Sequence, residues 1–293
     1  MTFLLRLALL LPILFSIFLI GCAGNKSSTS SNGEFTSWGA VSPNVTTHFS
    51  SGNSSVISSV GTISQTSSDV NANILFDSGT NISSITLNQS ATNAITFSVA
   101  AGDIIAKDAT GANYIFTNKN STTIGILGNP NYYGYQYQTY GAWGAWGNIS
   151  TNGNAISIGS LTPSSGIPTS GTAIFAGGAN GYLMDAYTYL VSANMTASVD
   201  FAARTVAFST SSSTITGKSG GVTSAANWLN LTGNMSYATG KNQMTGSVTS
   251  ASGMSGSLIA NFYGPSANEI GGTFGLTQPT TSNSLVGGFG GKR

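Results

Sequence analysis

Between Asn194 and Phe208 apolar and polar residues take strict turns. Met195, Ala197, Val199 and Phe201 alternate with Asn194, Thr196, Ser198 and Asp200, and after Ala202-Ala203-Arg204 the pattern resumes at Val206 and Phe208. Successive side chains of a strand point to opposite faces, so this stretch reads as a strand with one oily face, a tight turn and a second such strand. Met244, Gly246 and Val248, then Leu258, Ala260 and Phe262, repeat the pattern. Such strands must close their oily face against something, and closing into a barrel also removes the free edges that invite aggregation.

The upstream half carries weaker versions of the same signal. Ile95-Thr96-Phe97-Ser98-Val99 alternates, and Thr110-Gly111-Ala112 is a hairpin turn between Ile104-Ile105 and Tyr114-Ile115-Phe116. Ile74-Leu75-Phe76 and Ile85 with Leu87 are further strand candidates. No long window has a 3.6-residue period. Charged residues, which include the strong helix formers Glu, Lys and Arg, make up only 6% of the 293 residues. Thr, Val, Ile, Phe and Tyr favour strands, and Gly and Asn supply turns. An all-β protein is expected. A formal net charge of +1 without a basic stripe excludes nucleic acid as a partner.

Residues 1–20 form an apolar run with one positive charge at Arg6, closed by Leu19-Ile20-Gly21-Cys22. An aliphatic residue three before the cysteine and a small residue just before it make a bacterial lipoprotein signal. Residues 1–21 are expected to be cleaved as a signal peptide, and Cys22, the one cysteine, to carry the acyl chains. Two or three chains anchor stably where one does not. With the thiol consumed, packing and hydrogen bonds hold the fold. Ala23 follows the cysteine in place of the Asp that retains such proteins on the inner membrane, so export to the outer membrane of a Gram-negative cell is expected. Residues 22–34, almost all Ser, Asn, Gly, Thr and Lys, read as a flexible tether. A membrane barrel would alternate too. A lipid anchor would then be redundant, and the chain ends Gly290-Gly291-Lys292-Arg293 without a terminal aromatic strand, so a soluble barrel with an oily inside is expected.

The C-terminal half resembles the barrel domain of the transferrin-binding protein B-like surface lipoproteins. Pro168-Thr169-Ser170-Gly171-Thr172-Ala173 looks like its opening strand, and Val199-Asp200-Phe201-Ala202-Ala203-Arg204-Thr205-Val206 like its strand-turn-strand. Asn261-Phe262-Tyr263-Gly264-Pro265 with Glu269-Ile270-Gly271-Gly272-Thr273-Phe274 looks like its last hairpin, and Gly287-Gly288-Phe289-Gly290-Gly291-Lys292-Arg293 like its C-terminal strand. Tyr140-Gly141-Ala142-Trp143 is similar to a segment just before the barrel. The resemblance implies an eight-stranded antiparallel barrel over residues 165–293, a β handle domain over residues 35–164, and display at the cell surface, often through a dedicated lipoprotein translocon. It also implies binding of host iron carriers, haem or complement regulators, without choosing among them.

Residues with chemical potential are few. His48 is the one histidine; it reads either as an ordinary surface residue or as a haem ligand, since a single His can hold haem iron. With no second His and no free Cys, a zinc or copper site is not expected. Tyr132, Tyr133, Tyr135 and Tyr137 belong to an aromatic stretch that is either a partner-binding surface or a strand packed at the handle–barrel junction; on a strand Tyr133, Tyr135 and Tyr137 would share a face and Tyr140 the other. Asp103 and Asp108, the nearest acidic pair, fall at turns. No nucleophile elbow with a His partner and no phosphate loop is present, so an enzyme is not expected. The reading is a monomeric, outer-membrane-anchored, non-catalytic binding module for an iron carrier protein or haem. The alternative is a structural or adhesive surface lipoprotein with no small ligand.

Overall fold

The computed structural model describes residues 46–49, 51–59, 61–67, 70–77, 81–88, 94–146, 152–217, 222–278, 280–281 and 283–293. Cys22 and the tether expected over residues 22–34 lie outside these. Twenty strands, numbered along the chain, form three sheets among the described residues.

The first sheet has four antiparallel strands in the order β1 (Thr46–Phe49), β4 (Asn71–Phe76), β5 (Ile82–Asn88) and β6 (Ala94–Ser98). The second has seven: β3 (Thr62–Thr66), β2 (Gly52–Ser59), β11 (Gly153–Gly159), β10 (Gln138–Ala145), β9 (Thr123–Gly128), β8 (Asn113–Thr117) and β7 (Ile104–Lys107). The Thr110–Ala112 hairpin expected from sequence joins β7 to β8, with Gly111 at φ 75°.

The third sheet is a closed eight-stranded antiparallel barrel, as the alternation and the resemblance predict. Its ring runs β13 (Thr188–Asp200), β12 (Thr172–Met184), β20 (Asn283–Lys292), β19 (Glu269–Gln278), β18 (Ser255–Tyr263), β17 (Met244–Ser250), β16 (Leu231–Tyr237) and β14 (Thr205–Gly217), and β14 pairs back to β13. A short strand, β15 (Thr223–Ala225), adds to one end of β14. Met195, Ala197, Val199, Phe201, Val206, Phe208, Met244, Val248, Leu258, Ala260 and Phe262 all belong to the apolar core that fills the inside. Phe262 touches the rings of Phe175, Phe201 and Tyr237 there. Gly264, at φ 83°, makes the turn after β18.

The sheets stack in layers. The four-stranded sheet packs on one face of the seven-stranded sheet through Ile74, Ile85, Leu87, Phe97, Phe116, Leu127, Trp143 and Ile156. The other face of the seven-stranded sheet lies on the outside of the barrel over β12, β19 and β20, with Ile57, Ile126, Ala142 and Ala155 meeting Tyr182, Met184 and Val286. This cover explains a departure from simple alternation. β17 alternates buried with more exposed positions, whereas β19 is buried at every position from Glu269 to Leu276 and β20 from Ser284 to Gly291. Their inner face meets the barrel core and their outer face meets the sheet. No helix among the described residues is long and apolar enough to cross a membrane.

Candidate functional site

The junction between sheet and barrel is made by tyrosine rings seated on glycines. The ring of Tyr140, on β10, covers Gly290 of the barrel so closely that a Cβ there would lie 2.6 Å from it. In the opposite sense, Tyr182 of the barrel covers Gly144 and Gly153, and Tyr263 covers Gly159. Only a residue without a side chain lets backbone and ring approach this far. Burial pushes the Tyr182 hydroxyl up to about 12, and it donates to the Ala145 carbonyl at 2.5 Å.

Hydrogen bonds made by the segment before β10 and by its first residue complete the junction. Tyr135 donates to the Gly290 carbonyl at 2.6 Å, and Gln138 Nε2 to the Ile270 carbonyl at 2.7 Å. Lys292 Nζ donates to the Gly134 carbonyl at 2.8 Å. Glu269, fully buried, accepts the backbone N–H groups of Gln136 at 2.5 Å and Tyr137 at 3.2 Å. Burial raises its carboxyl to about 7 despite those N–H groups and the nearby Lys292, which pull it down.

Beside this junction the sheet and the barrel diverge into a cleft of about 700 Å³. Ile115, Ile124 and Ile126 from β8 and β9 form one wall, and Leu190 to Asn194 from β13 with Ser212, Thr214 and Thr216 from β14 form the other. Tyr132, Tyr133 and Trp146 line it as well. The barrel wall is re-aimed here by a bulge: Ser192 pairs with Thr214 but Asn194 with Ser211, and Ser212 takes the left-handed φ of 54°. Bulges that turn a strand out of register are frequent beside binding and active sites. A second hollow, of about 720 Å³, lies along the outer barrel wall from Ile174 to Ser247; no aromatic residue lines it.

The tyrosines expected from sequence fall in three places. Tyr132 and Tyr133 are on a single helical turn, α1 (Pro130–Tyr133), which corrects the expectation of a continuous strand. Pro130 opens the turn, the Asn129 side chain caps it by accepting from Asn131 N–H at 3.1 Å, and Gly134 ends it at φ 67°. Tyr133 therefore stacks on Tyr135 at 5.1 Å, and Tyr140 lies against both, at 6.4 and 6.1 Å, rather than on an opposite face. Tyr132 is 57% exposed, Tyr133 is half-buried, Tyr135 is buried in the junction, and the Tyr137 ring lies on Gly264. His48 is not among the cleft residues; it sits on β1 with Nδ1 2.5 Å from Asn73 Oδ1. Asp103 and Asp108 do not act as a pair. Asp103 accepts the N–H groups of Ser98 and Lys119, while Asp108 accepts from Thr110 and from Asn113 Nδ2 at 2.7 Å. Sequence reasoning missed Asp108, Asn113 and Trp146 as neighbours of Tyr132, because chain separation hides a cleft between layers. No cluster of three or more His, Cys, Asp or Glu able to hold a metal occurs among the described residues.

Residues 167–293 match the family model described as the C-lobe and N-lobe beta barrels of Tf-binding protein B. The barrel therefore has the transferrin-binding protein B-like fold. A comparison with curated proteins finds no match. Among solved structures, a mutant transferrin-binding protein B from Haemophilus parasuis is 16% identical with a TM-score of 0.48 over 82% of this chain and 44% of its own. The isotype 1 protein from serogroup B Neisseria meningitidis is 16% identical with a TM-score of 0.47 over 83% of this chain and 43% of its own. A mutant from Actinobacillus pleuropneumoniae is 15% identical with a TM-score of 0.43, covering 83% of this chain and 99% of its own. The chain spans less than half the length of the first two.

Proposed function

We propose that this chain is a lipid-anchored, non-catalytic binding module of the outer membrane, displayed at the cell surface, with its binding site at the cleft beside Tyr132, Tyr133 and Trp146. The observation that carries this reading is the cleft: a hollow of about 700 Å³ at the meeting of two layers, with an isoleucine wall, a polar barrel wall and aromatic residues converging on it. The match of the barrel to transferrin-binding protein B barrels supports a protein partner of the iron-carrier class, and the half-exposed Tyr132 is the type of residue that anchors such contacts. The domain division at residues 164 and 165 follows the same reading, with the barrel as scaffold. Haem is less favoured. His48 lies away from the cleft, and no Lys, Arg or His among the described lining residues could meet its propionates.

A binding screen of the mature chain against iron-carrier proteins and haem tests this. Capture of a carrier that weakens at least tenfold on Tyr132→Ser, with the melting temperature unchanged, is expected. Binding indifferent to Tyr132→Ser and Tyr133→Ser would move the site elsewhere. Anchoring is tested separately: Cys22→Ser should abolish incorporation of labelled fatty acid, and normal labelling of that variant would overturn it.

A further inference from the structure

The lining of the cleft has a chemical polarity that selects among small ligands. One wall is apolar, from Ile115, Ile124 and Ile126. Leu190 faces it from the barrel wall, where Ser192, Asn194, Ser212, Thr214 and Thr216 add neutral polar groups. Among the described lining residues Asp108 is the one charged side chain, and it is negative. Its carboxylate is held in place by the Thr110 N–H at 3.1 Å, the Thr110 hydroxyl at 2.8 Å and Asn113 Nδ2 at 2.7 Å. Asn113, itself buried, is fixed in turn by Asn180 and Ser192 of the barrel. A carboxylate oriented by both layers keeps its charge at a set place beside the hollow.

The aromatic side chains point the same way. Tyr132 and Tyr133 have ring centroids 5.0 Å apart and planes at 79°. Tyr133 is stacked on Tyr135, so the exposed Tyr132 is the ring that offers π-density at the cleft. Ring faces attract cations, above all weakly hydrated ammonium groups, and repel anions. The hydroxyl of Tyr133 is raised chiefly by burial and further by the charge of Asp108, so it stays neutral. An anionic headgroup would meet a carboxylate and ring faces with no described cation in the lining to answer it.

We propose that the cleft binds a small amphiphile with an apolar body against Ile115, Ile124, Ile126 and Leu190 and a cationic, ammonium-type head at Asp108, Tyr132 and Tyr133. This rests on the reading of the cleft as a binding site. It goes beyond that reading by assigning the ligand's charge and shape. A protein partner docking at the rim would present such a group as a lysine side chain, and a free ligand would lay its chain along the isoleucine wall.

The test is calorimetric titration of the mature Cys22→Ser chain with three probes of equal length: hexyltrimethylammonium, hexanol and hexanesulfonate. The ammonium probe should bind at least tenfold tighter than the sulfonate and measurably tighter than the alcohol. Asp108→Asn, which keeps the acceptor for Thr110 but gives up the one for Asn113 Nδ2, should shrink that preference at least fivefold, and Tyr132→Ala should weaken the ammonium probe most. If Asp108→Asn fails to fold, Tyr132→Ala alone decides, since Tyr132 is more than half exposed. Equal or tighter binding of alcohol or sulfonate overturns the charge assignment while leaving the cleft as a site. Binding of none of the three overturns both.

Discussion

Tyr135 donates its hydroxyl hydrogen to the carbonyl oxygen of Gly290 at 2.6 Å, across 155 positions of sequence. One residue precedes the central strand of the seven-stranded sheet and the other lies near the end of the last barrel strand. With Gln138 and Glu269, this pair fastens the two layers together.

Tyr135→Phe keeps the ring and its stack on Tyr133 but leaves the Gly290 carbonyl without that donor in a buried place. Gly290 also pairs in the ladder with Gly178 and Gly271, so the loss is that of one buried hydrogen bond, about 0.5–1.5 kcal/mol. A fall in the urea midpoint of that size, with an unchanged slope, is expected; an unchanged midpoint would show that the bond contributes nothing.

Glu269 ties stability to pH. Burial raises its carboxyl from 4.5 to about 7 in the folded protein. Between those values the folded state holds the proton more tightly than the unfolded state. The contribution is therefore fully present below about pH 4.5 and is lost as pH rises through about 7. Melting temperature should fall between pH 5 and pH 8, and Glu269→Gln should flatten that part of the profile. A variant with the wild-type slope would place the titration elsewhere.

Gly288 has no room for a side chain. A Cβ there would run into the Ile156 carbonyl oxygen and lie 3.1 Å from Gly141 N and Tyr140 Cβ. Backbone must shift, at about 1–3 kcal/mol for such overpacking. Gly288→Ala should speed amide exchange in β10 and β11 while the strands β16 and β17, on the far wall, keep their protection. Uniform loss of protection would mean that sheet and barrel open only together.

Residues 165–293 should fold without the rest of the chain, because the core around Phe262 is closed on all sides by barrel strands. The isolated barrel should give a β-type circular dichroism spectrum and a cooperative melt. It should also self-associate as concentration rises, since Tyr182, Met184 and Val286 would lose their cover. Phe262→Ala should cost it about 3–5 kcal/mol. A fragment that stays unfolded would show that the sheet is needed to close the ring.

The barrel was legible in the sequence because its inward face is written in large apolar residues at every second position, and because Gly264-Pro265 and Ala202-Ala203-Arg204 punctuate the strands. The junction was legible only on its tyrosine side, as a stretch packed between handle and barrel. Its outward face is written in glycine, and glycine at alternate positions looks the same whether it faces water or a tyrosine ring. Gly290 acquires its meaning only from Tyr140, and Gly144 only from Tyr182. The cleft was half legible: the tyrosine-rich stretch stood out, but Pro130 and Gly134 turn Tyr132 and Tyr133 onto a helical corner that period-two reasoning does not anticipate. Asp108 looked like an ordinary turn residue because its partners in the cleft come from β9, α1 and the barrel.

The glycine-faced wall also bears on what it takes to dock the sheet. Side chains brought to rest at a contact lose rotational freedom, by as much as about 1.5–2 kcal/mol for long flexible ones and nothing for glycine. On this wall Gly178, Gly288 and Gly290 have no rotamers to surrender; tyrosines with two side-chain torsions each lie on Gly178 and Gly290, and the backbone of Ile156 and Gly141 on Gly288. Where these glycines face the sheet the layers meet while freezing few internal degrees of freedom, and the ordering is left to side chains such as Gln138, Glu269 and Met184.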